Sequence, residues 1–587
     1  MSFDEFHDKV QKILSAELPK GKTVMQEGKQ LASNLKMRRS SFSLKMGVSS
    51  ELEYKRQCIK EKKIMYHCHI GMSSWEETAT SLKRLDSYMR SAGFIQDRAG
   101  ICLDRRMGLP AHLRDSAPAE TGPMLESMED WLEIGSAAPI QPHMGDFMIG
   151  FPSSTENTIF ALQAGVTTIG NLSQFFSHEV PLWRDQVYTT IETVKAISLM
   201  GALREQGALL HSYLDDGLGA LFLDCATVAG WALLEKYIVE DLLGAKLAHC
   251  MGGLVTDPVK RSGWVFALDK IHKNDCIGSM FFGDTISFTK DFNVNRGLVA
   301  EYLSWDIMTQ LACPTGHAVL SMPVTEAIRA PSLDEIIEAQ ILARRIEATA
   351  RRMFPFFDFS APRQFAETVS EEGEIVFKGA LQGLRESGVD VEDPVQLLYV
   401  LKKLGPAVFE EMFGAGKEDS SLPRGRVPIL PNDIFEKSRD EIGANRHLFA
   451  AQQVIKSLRG KHILLASTDV HEHALYVIHN LLQEAKAFVV NAGSERNPDD
   501  VAVAAMENRV DAVLISTHNG MALEYAKVLL EEMEERNLRV PILMGGVLNQ
   551  KVADSATPVN VEKELAAIGI IPVSDMNDLV RLIIEMW

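Results

Sequence analysis

The sequence predicts an α/β protein built on parallel sheets: a (β/α)8 barrel followed by a smaller, doubly wound domain. Three observations point there. From about residue 95, short apolar runs alternate many times with longer helical patterns. A stretch rich in Gly, Pro and Ser, FGAGKEDSSLPRGRVPILPND (413–433), interrupts the alternation. After Lys461 it resumes with HILLAS, KAFVVNAG, DAVLIST and VPILMGGV. A chain of 587 residues has room for a barrel of about 250 residues and more besides.

The elements follow in order. Residues 1–94 read as an N-terminal helical segment, with EFHDKVQKILSAEL amphipathic at helical spacing and KMRRSSFSLKMG a solvated basic connector. YHCHIG (66–71) reads as a strand end; His67, Cys68 and His69 are too close in sequence to face one way and hold a metal. Residues 95–412 read as the barrel with a helical C-terminal extension. AGICLDRRMGLP is a strand and its exit. APIQPHMGDFMIG precedes the helix SSTENTIFALQAG, with Ser as N-cap and Gly165 as C-cap. VTTIGNLSQFF, ALLHSYLDDGLG, AKLAHCMGGL, CIGSMFFGDTIS and TGHAVLSMPVTEAI are the next strands, each followed by a helical pattern. Closing such a series into a barrel gathers the strand ends, and so the chemistry, on one face. Those ends carry His143, Asn171, Asp215, Asp216, Gly252, Gly253, Asp284 and Glu326. Polar residues are common in any strand-to-helix loop, so each alone is an even choice between function and solvation.

Residues 413–440 read as a linker, because Gly, Pro and Ser punctuate chains between packed elements. Residues 441–587 read as the second domain. It opens on the helix EIGANRHLFAAQQVIKSLRGK and continues as strand, loop TDVHEH, helix, and four further strands, each followed by a helix except VPILMGGV, which leads into a variable stretch. Ligands of doubly wound sheets bind at the carboxyl ends of the strands. Those ends carry Asp469-x-His471, Asn491-x-Gly493, Ser516-Thr517 and Gly545-Gly546.

Composition narrows the classes. Apolar residues make up 46% and charged residues 24%, as in soluble globular proteins. No apolar run approaches the roughly 18–20 residues that span a bilayer, and the N-terminus has no apolar signal core. The expected location is the cytoplasm, away from membranes. A net charge of −19 argues against nonspecific nucleic-acid binding. The seven cysteines (58, 68, 102, 225, 250, 276, 313) include no Cys-x-x-Cys, which fits reduced thiols and neither a disulfide framework nor a structural zinc site. The expected partners are a small-molecule substrate and a second copy of the chain in a homodimer.

On these motifs the C-terminal unit resembles the cobalamin-binding domain of adenosylcobalamin-dependent mutases and of methionine synthase. That family carries Asp-x-His-x-x-Gly, a Ser-containing strand end and a Gly-Gly pair. The resemblance implies His471 as lower ligand to cobalt, Asp469 as its orienter, Ser516 and Thr517 beside the benzimidazole tail, and Gly545 and Gly546 opening the slot for it. Ala474 stands where the family has Gly. The alternative reading of His471 is a loop histidine on a domain that binds nothing.

The larger domain resembles the large subunit of glutamate (methylaspartate) mutase over roughly residues 95–430. DRRMGLP, IQPHMGD and PVTEAIRAP carry the likeness. It implies adenosylcobalamin as cofactor, Arg106 as a substrate-binding arginine, and Glu326 as a residue meeting the adenosyl ribose. His143 and Asp284 are candidates for substrate polar groups, as is Asn171. The alternative for Arg106 is a salt bridge inside the barrel mouth. Departures are His143 at a family arginine, Ser321-Met322 where the family has a lysine, and Phe175 and Phe176 in place of a Gly-rich, Tyr-containing stretch. A pocket that loses guanidinium grips and gains aromatics implies a less charged substrate, a small carboxylic acid or acyl compound.

Three competing readings stay open. A corrinoid methyltransferase also joins a barrel to a cobalamin domain, but needs a zinc or folate site; Cys250 and Cys313 lack close sequence partners. A cobalamin-binding regulator with an inactive barrel fits the missing arginines. An aminomutase would carry a pyridoxal-phosphate lysine, and Lys461 and Lys486 lie outside the strand-end loops.

Overall fold

The computed structural model describes residues 1–117, 119, 121–251, 255–283, 285, 287–326, 329–419, 422–468, 473–493, 496–518, 520–550 and 559–587, with backbone only at 216, 218, 220, 423, 434 and 473. The chain forms two compact units. One comprises Met1–Phe176 and Val180–Asp433, the other Ser177–Glu179 and Ile434–Trp587.

The first unit opens with helices Phe3–Leu14, Gly21–Ser33 and Glu51–Glu61. Serine starts two of them: Ser2 forms a reciprocal capping box with Glu5, and Ser50 caps through the Glu53 amide. Eight strands follow: β1 (Met65–Ile70), β2 (Arg98–Ile101), β3 (Gln141–His143), β4 (Thr168–Ile169), β5 (Leu209–Tyr213), β6 (Leu247–Met251), β7 (Met280–Phe281) and β8 (Ala318–Leu320). They pair in parallel, in the orders β3-β2-β1-β8 and β4-β5-β6-β7. Just past β3, Met144 makes a parallel bridge to Ile169 of β4. At least one helix separates each strand from the next, for example Trp75–Ser91, Ser154–Ala164, Gln186–Ala202 and Phe292–Ala312. Parallel neighbours require such crossovers.

Strand β1 lies within residues 1–94, read from sequence as a helical segment, and takes in the stretch YHCHIG read as a strand end. MYHCHI is not a continuous apolar run because His67 and His69 alternate with its apolar residues. His67 is fully buried on one side of the strand and Cys68 on the other. Below it, the fully buried Glu51 pairs with Arg98 (2.9 Å) and Lys55 (3.2 Å), so the entering helix is fastened to β2 by charge.

After β8 come helices Leu333–Met353, Ser360–Glu386 and Pro394–Phe413. The Gly/Pro/Ser-rich stretch is less a tether than expected. Lys417–Glu418 pairs antiparallel with Arg426–Val427. The Cys225 amide donates to the Leu430 carbonyl at 2.8 Å and the Asn432 amide to that of Leu223 at 3.0 Å. The Asp433 carboxylate accepts from the Thr256 amide at 2.8 Å and from Lys260. Its composition therefore reports turns, and the turns are hydrogen-bonded down along their length.

The second unit holds five parallel strands: β9 (His462–Ser467), β10 (Phe488–Gly493), β11 (Ala512–Thr517), β12 (Ile542–Gly546) and β13 (Ile571–Val573). Their order is β10-β9-β11-β12-β13. This is a doubly wound, flavodoxin-like sheet whose switch point lies at β9, between β10 and β11. Its helices bury apolar stripes on both faces: Leu475, Leu481 and Leu482 with Ile583 on one, Val501, Ala526 and Leu529 on the other.

Candidate functional site

In a doubly wound sheet, the crevice at the switch point is where ligands sit. Here it is bordered by the ends of β9 and β11. Ser467 pairs in register with Ser516, Ser516 with Gly545, and Thr517 with Gly546. The Thr468 amide donates to the Ser516 carbonyl at 2.9 Å, and its hydroxyl to that of Thr517 at 2.8 Å. Asp469 and His471 lie outside the described residues. Ala474 is half-buried in the first turn of the helix His473–Glu484.

The two glycines of β12 differ in what they require. Gly546 has φ +104°, and a Cβ there would stand 2.3 Å from the Thr517 carbonyl oxygen. No other residue fits without moving backbone. At Gly545 a Cβ would meet nothing nearer than 3.4 Å, so the fold itself permits a side chain. Beside it, the Ser516 hydroxyl is buried with no hydrogen-bond partner among the described residues. An unmet hydroxyl next to room left by a missing side chain fits a ligand that brings a polar group to the end of β11.

Residues 463–557 match the sequence model of the family described as the B12 binding domain. The chain carries a B12-binding domain. No curated protein matches the chain. The matched range runs from β9 past β12 and includes the strand ends just described. The protein is therefore a cobalamin-binding one, and the residues at the mouth of the B12-binding domain fit that cofactor: small side chains, one unmet hydroxyl, one open glycine.

In the first unit the strand ends hold a connected polar group. His143, at the end of β3, is almost fully buried; its Nδ1 donates to the Thr168 carbonyl at 2.9 Å. Its Nε2 meets the Tyr213 hydroxyl. Burial first, and then the Arg98 and His211 charges, holds this imidazole well below its usual range. It is thus neutral, and since a carbonyl only accepts, Nδ1 carries the proton and Nε2 accepts from Tyr213. Tyr213 ends β5. Its amide donates to Asn171 Oδ1 at 2.9 Å, and the Ser173 hydroxyl donates to its carbonyl at 2.6 Å. Asn171, read from sequence as a substrate contact, is in this structure a buried brace for β5.

Three more groups share a field. Burial pushes the Asp146 carboxyl up to about 6, against a 3.1 Å hydrogen bond from Gln174 that favours the charged form. Burial, with Glu335 adding, pushes Glu326 up to about 7. The Cys102 thiol is driven well above its ordinary range by burial and by the charges of Asp146 and Glu326. Strand ends after β2, β3 and β8 therefore carry a thiol that stays protonated and two carboxyls that titrate near neutrality.

Arg106 is not brought into this group. It forms a bidentate pair with Asp104 (Nε–Oδ1 2.9 Å, Nη2–Oδ2 3.0 Å) and lines a cavity of about 780 Å³ with Trp75, Lys83, Asp104 and Glu133. His143, Asn171 and Glu326 do not line that cavity. Phe175 and Phe176 do not supply the expected pocket aromatics. Both are buried, Phe176 edge-on to Trp231 with ring centroids 4.8 Å apart and Phe175 beneath the Lys402 ammonium at 4.8 Å. The aromatic pair at the strand ends is Tyr213 and Phe282, centroids 4.7 Å apart. Tyr213 and the imidazole of His211 were missed from sequence, and the neighbouring His67 and His69 were weighed only as metal ligands. The signal was there: His67/His69 and His211/Tyr213 recur at the two-residue spacing of one strand face. Gly252, Gly253 and Asp284 lie outside the described residues, as does the Asp216 side chain.

Among the described residues, no helix is long and apolar enough to cross a membrane.

Proposed function

We propose that the chain is an adenosylcobalamin-dependent carbon-skeleton mutase, an isomerase acting on a small carboxylic acid or acyl compound. The observation that carries this is one chain joining a B12-binding domain to a unit whose eight parallel strands follow one another in sequence order. We read that unit as a (β/α)8 barrel. Sequential strand order, a helix after every strand, and the parallel bridge between Met144 and Ile169 support closure.

Asp469, His471, Ser516, Thr517, Gly545 and Gly546 are the residues that would hold the cofactor. Bound adenosylcobalamin supplies an organic radical by homolysis of its cobalt–carbon bond, chemistry that no side chain offers. The first unit supplies binding, orientation and exclusion of water. Neutral His143 holds the Tyr213 hydroxyl in one orientation at the strand ends. Glu326, with its pKa near 7, both donates and accepts hydrogen bonds around neutral pH, which suits a ribose or substrate hydroxyl. Arg106 would have to give up a bidentate partner to grip a carboxylate. A substrate with one carboxylate or none fits better than a dicarboxylate.

The test is anaerobic mixing of the protein, adenosylcobalamin and candidate acids or acyl compounds, followed by paramagnetic resonance. A cobalt(II) and organic-radical signal that appears only with substrate supports the mutase. Methyl transfer from a methylated corrinoid without that signal supports a methyltransferase. Binding with neither outcome supports a regulator.

A further inference from the structure

The loops entering β7 and β8 run side by side on the amino-terminal side of their strands. The Gly278 amide donates to the Thr315 carbonyl at 2.7 Å, and the Thr315 hydroxyl to the Ser279 carbonyl at 2.7 Å. Cys276 and Cys313 each stand two residues upstream of the Gly278–Thr315 contact, one on each loop. A disulfide spans Cα separations of about 4.4–6.8 Å, a range open to residues two places from a backbone hydrogen bond that joins their loops. Cys276 donates its S–H to Asp269 Oδ1 at 3.1 Å, and Cys313 is the neighbour that acts most strongly on its thiol. Cys276 is buried and Cys313 is half-buried, so one thiol is reachable from solvent and the other waits behind it.

We propose that Cys276 and Cys313 form a redox-active dithiol that closes reversibly to an intramolecular disulfide with a small-molecule disulfide oxidant such as oxidised glutathione. The Cys313 thiolate attacks one sulfur of the oxidant. That S–S bond breaks, one small thiolate leaves, and a mixed disulfide remains on Cys313. Cys276 then gives its proton to the Asp269 carboxylate that already accepts its hydrogen bond, and attacks the Cys313 sulfur. The protein S–S bond forms and the second small thiolate leaves. Two protein thiols are oxidised and one oxidant disulfide is reduced to two thiols. Until then Cys276 is kept from reacting first: the neighbouring Cys313 and Asp269, together with burial, hold its thiol well above the ordinary range. The closed bond would fasten the loops before β7 and β8 across the helix Phe292–Ala312. Transient disulfides of this kind are the usual form of redox sensing in reducing compartments.

The experiment equilibrates the full chain in glutathione buffers from reduced to oxidised, alkylates free thiols, and maps tryptic peptides without reduction. The expected product links peptide 274–290 to peptide 297–329, lighter by two hydrogens and lost again on adding reductant. C276S loses the linked peptide and retains glutathione on Cys313. C313S leaves Cys276 as a free thiol. The proposal is overturned if both wild-type thiols stay alkylatable in the oxidised buffer, or if either cysteine is found joined to a different one.

Discussion

Two adjacent glycines at the end of β12 should separate folding from cofactor binding. At Gly545 an added methyl meets its nearest atom, the Val573 carbonyl oxygen, at 3.4 Å, an ordinary contact. Alanine is also favoured over glycine in a strand by about 0.5–1 kcal/mol. Gly545→Ala should therefore leave the cofactor-free domain as stable as wild type or slightly more so. The same methyl enters the space beside the unmet Ser516 hydroxyl. Overfilling a close-packed site costs about 1–3 kcal/mol. That weakens cobalamin binding by roughly 5- to 150-fold at 1.4 kcal/mol per decade. Gly546→Ala should do the reverse. With φ +104° and a Cβ 2.3 Å from the Thr517 carbonyl oxygen, backbone must shift. Conformational strain of this kind costs about 1–3 kcal/mol before the steric clash is counted. Urea unfolding by circular dichroism gives the stabilities, and titration of hydroxocobalamin by visible absorbance gives the affinities. Wild-type affinity in Gly545→Ala would refute the slot. Equal destabilisation by both substitutions would refute the separation of their roles.

Three more predictions follow from the first unit. Tyr213→Phe removes the hydroxyl that His143 accepts from while keeping the ring against Phe282; turnover of an identified substrate should fall about 10- to 100-fold, with cobalamin affinity unchanged. Burial pushes Glu410 up to about 7 although it accepts amide hydrogens from Leu223 and Asp224. A folded-state pKa raised from 4.5 means stability is fully present below about 4.5 and lost as pH rises through about 7, about 3 kcal/mol in all; in Glu410→Gln the fall in unfolding free energy between pH 4 and 8, from urea titrations, should shrink by that amount. Glu51→Ala strands Arg98 and Lys55 in the core without their counter-ion; a loss of about 3–5 kcal/mol in urea unfolding is expected, and a loss below about 1 kcal/mol would show the cluster to be relaxed by water.

The second unit was the more legible from sequence because its strands are apolar runs ending abruptly in Ser467-Thr468, Ser516-Thr517 and Gly545-Gly546. Small residues after a hydrophobic run mark both the strand end and the ligand side of a doubly wound sheet. The first unit hides its chemistry inside its strands. His67, Arg98, His143, His211 and Tyr213 are polar residues facing inward, so β1 and β5 lack the continuous apolar signature of buried parallel strands. Aromatics misled in the opposite direction: Phe175 and Phe176 sit next to a strand end in sequence but turn toward Trp231 and Lys402. The stretch 413–433 read as loose because Gly, Pro and Ser do not reveal that the Leu430 and Asn432 backbones are bonded to Cys225 and Leu223 and that the Asp433 carboxylate holds the Thr256 amide.

We propose that the imidazole of His471 is the ligand that would hold cobalt in the B12-binding domain. The most direct test is paramagnetic resonance of the cobalt(II) form of the cofactor bound to protein labelled with nitrogen-15 in histidine alone. Hyperfine lines split into doublets by the labelled nitrogen, with the splitting abolished in His471→Ala, are the result expected. Triplets from the unlabelled benzimidazole, unchanged by the substitution, would contradict it.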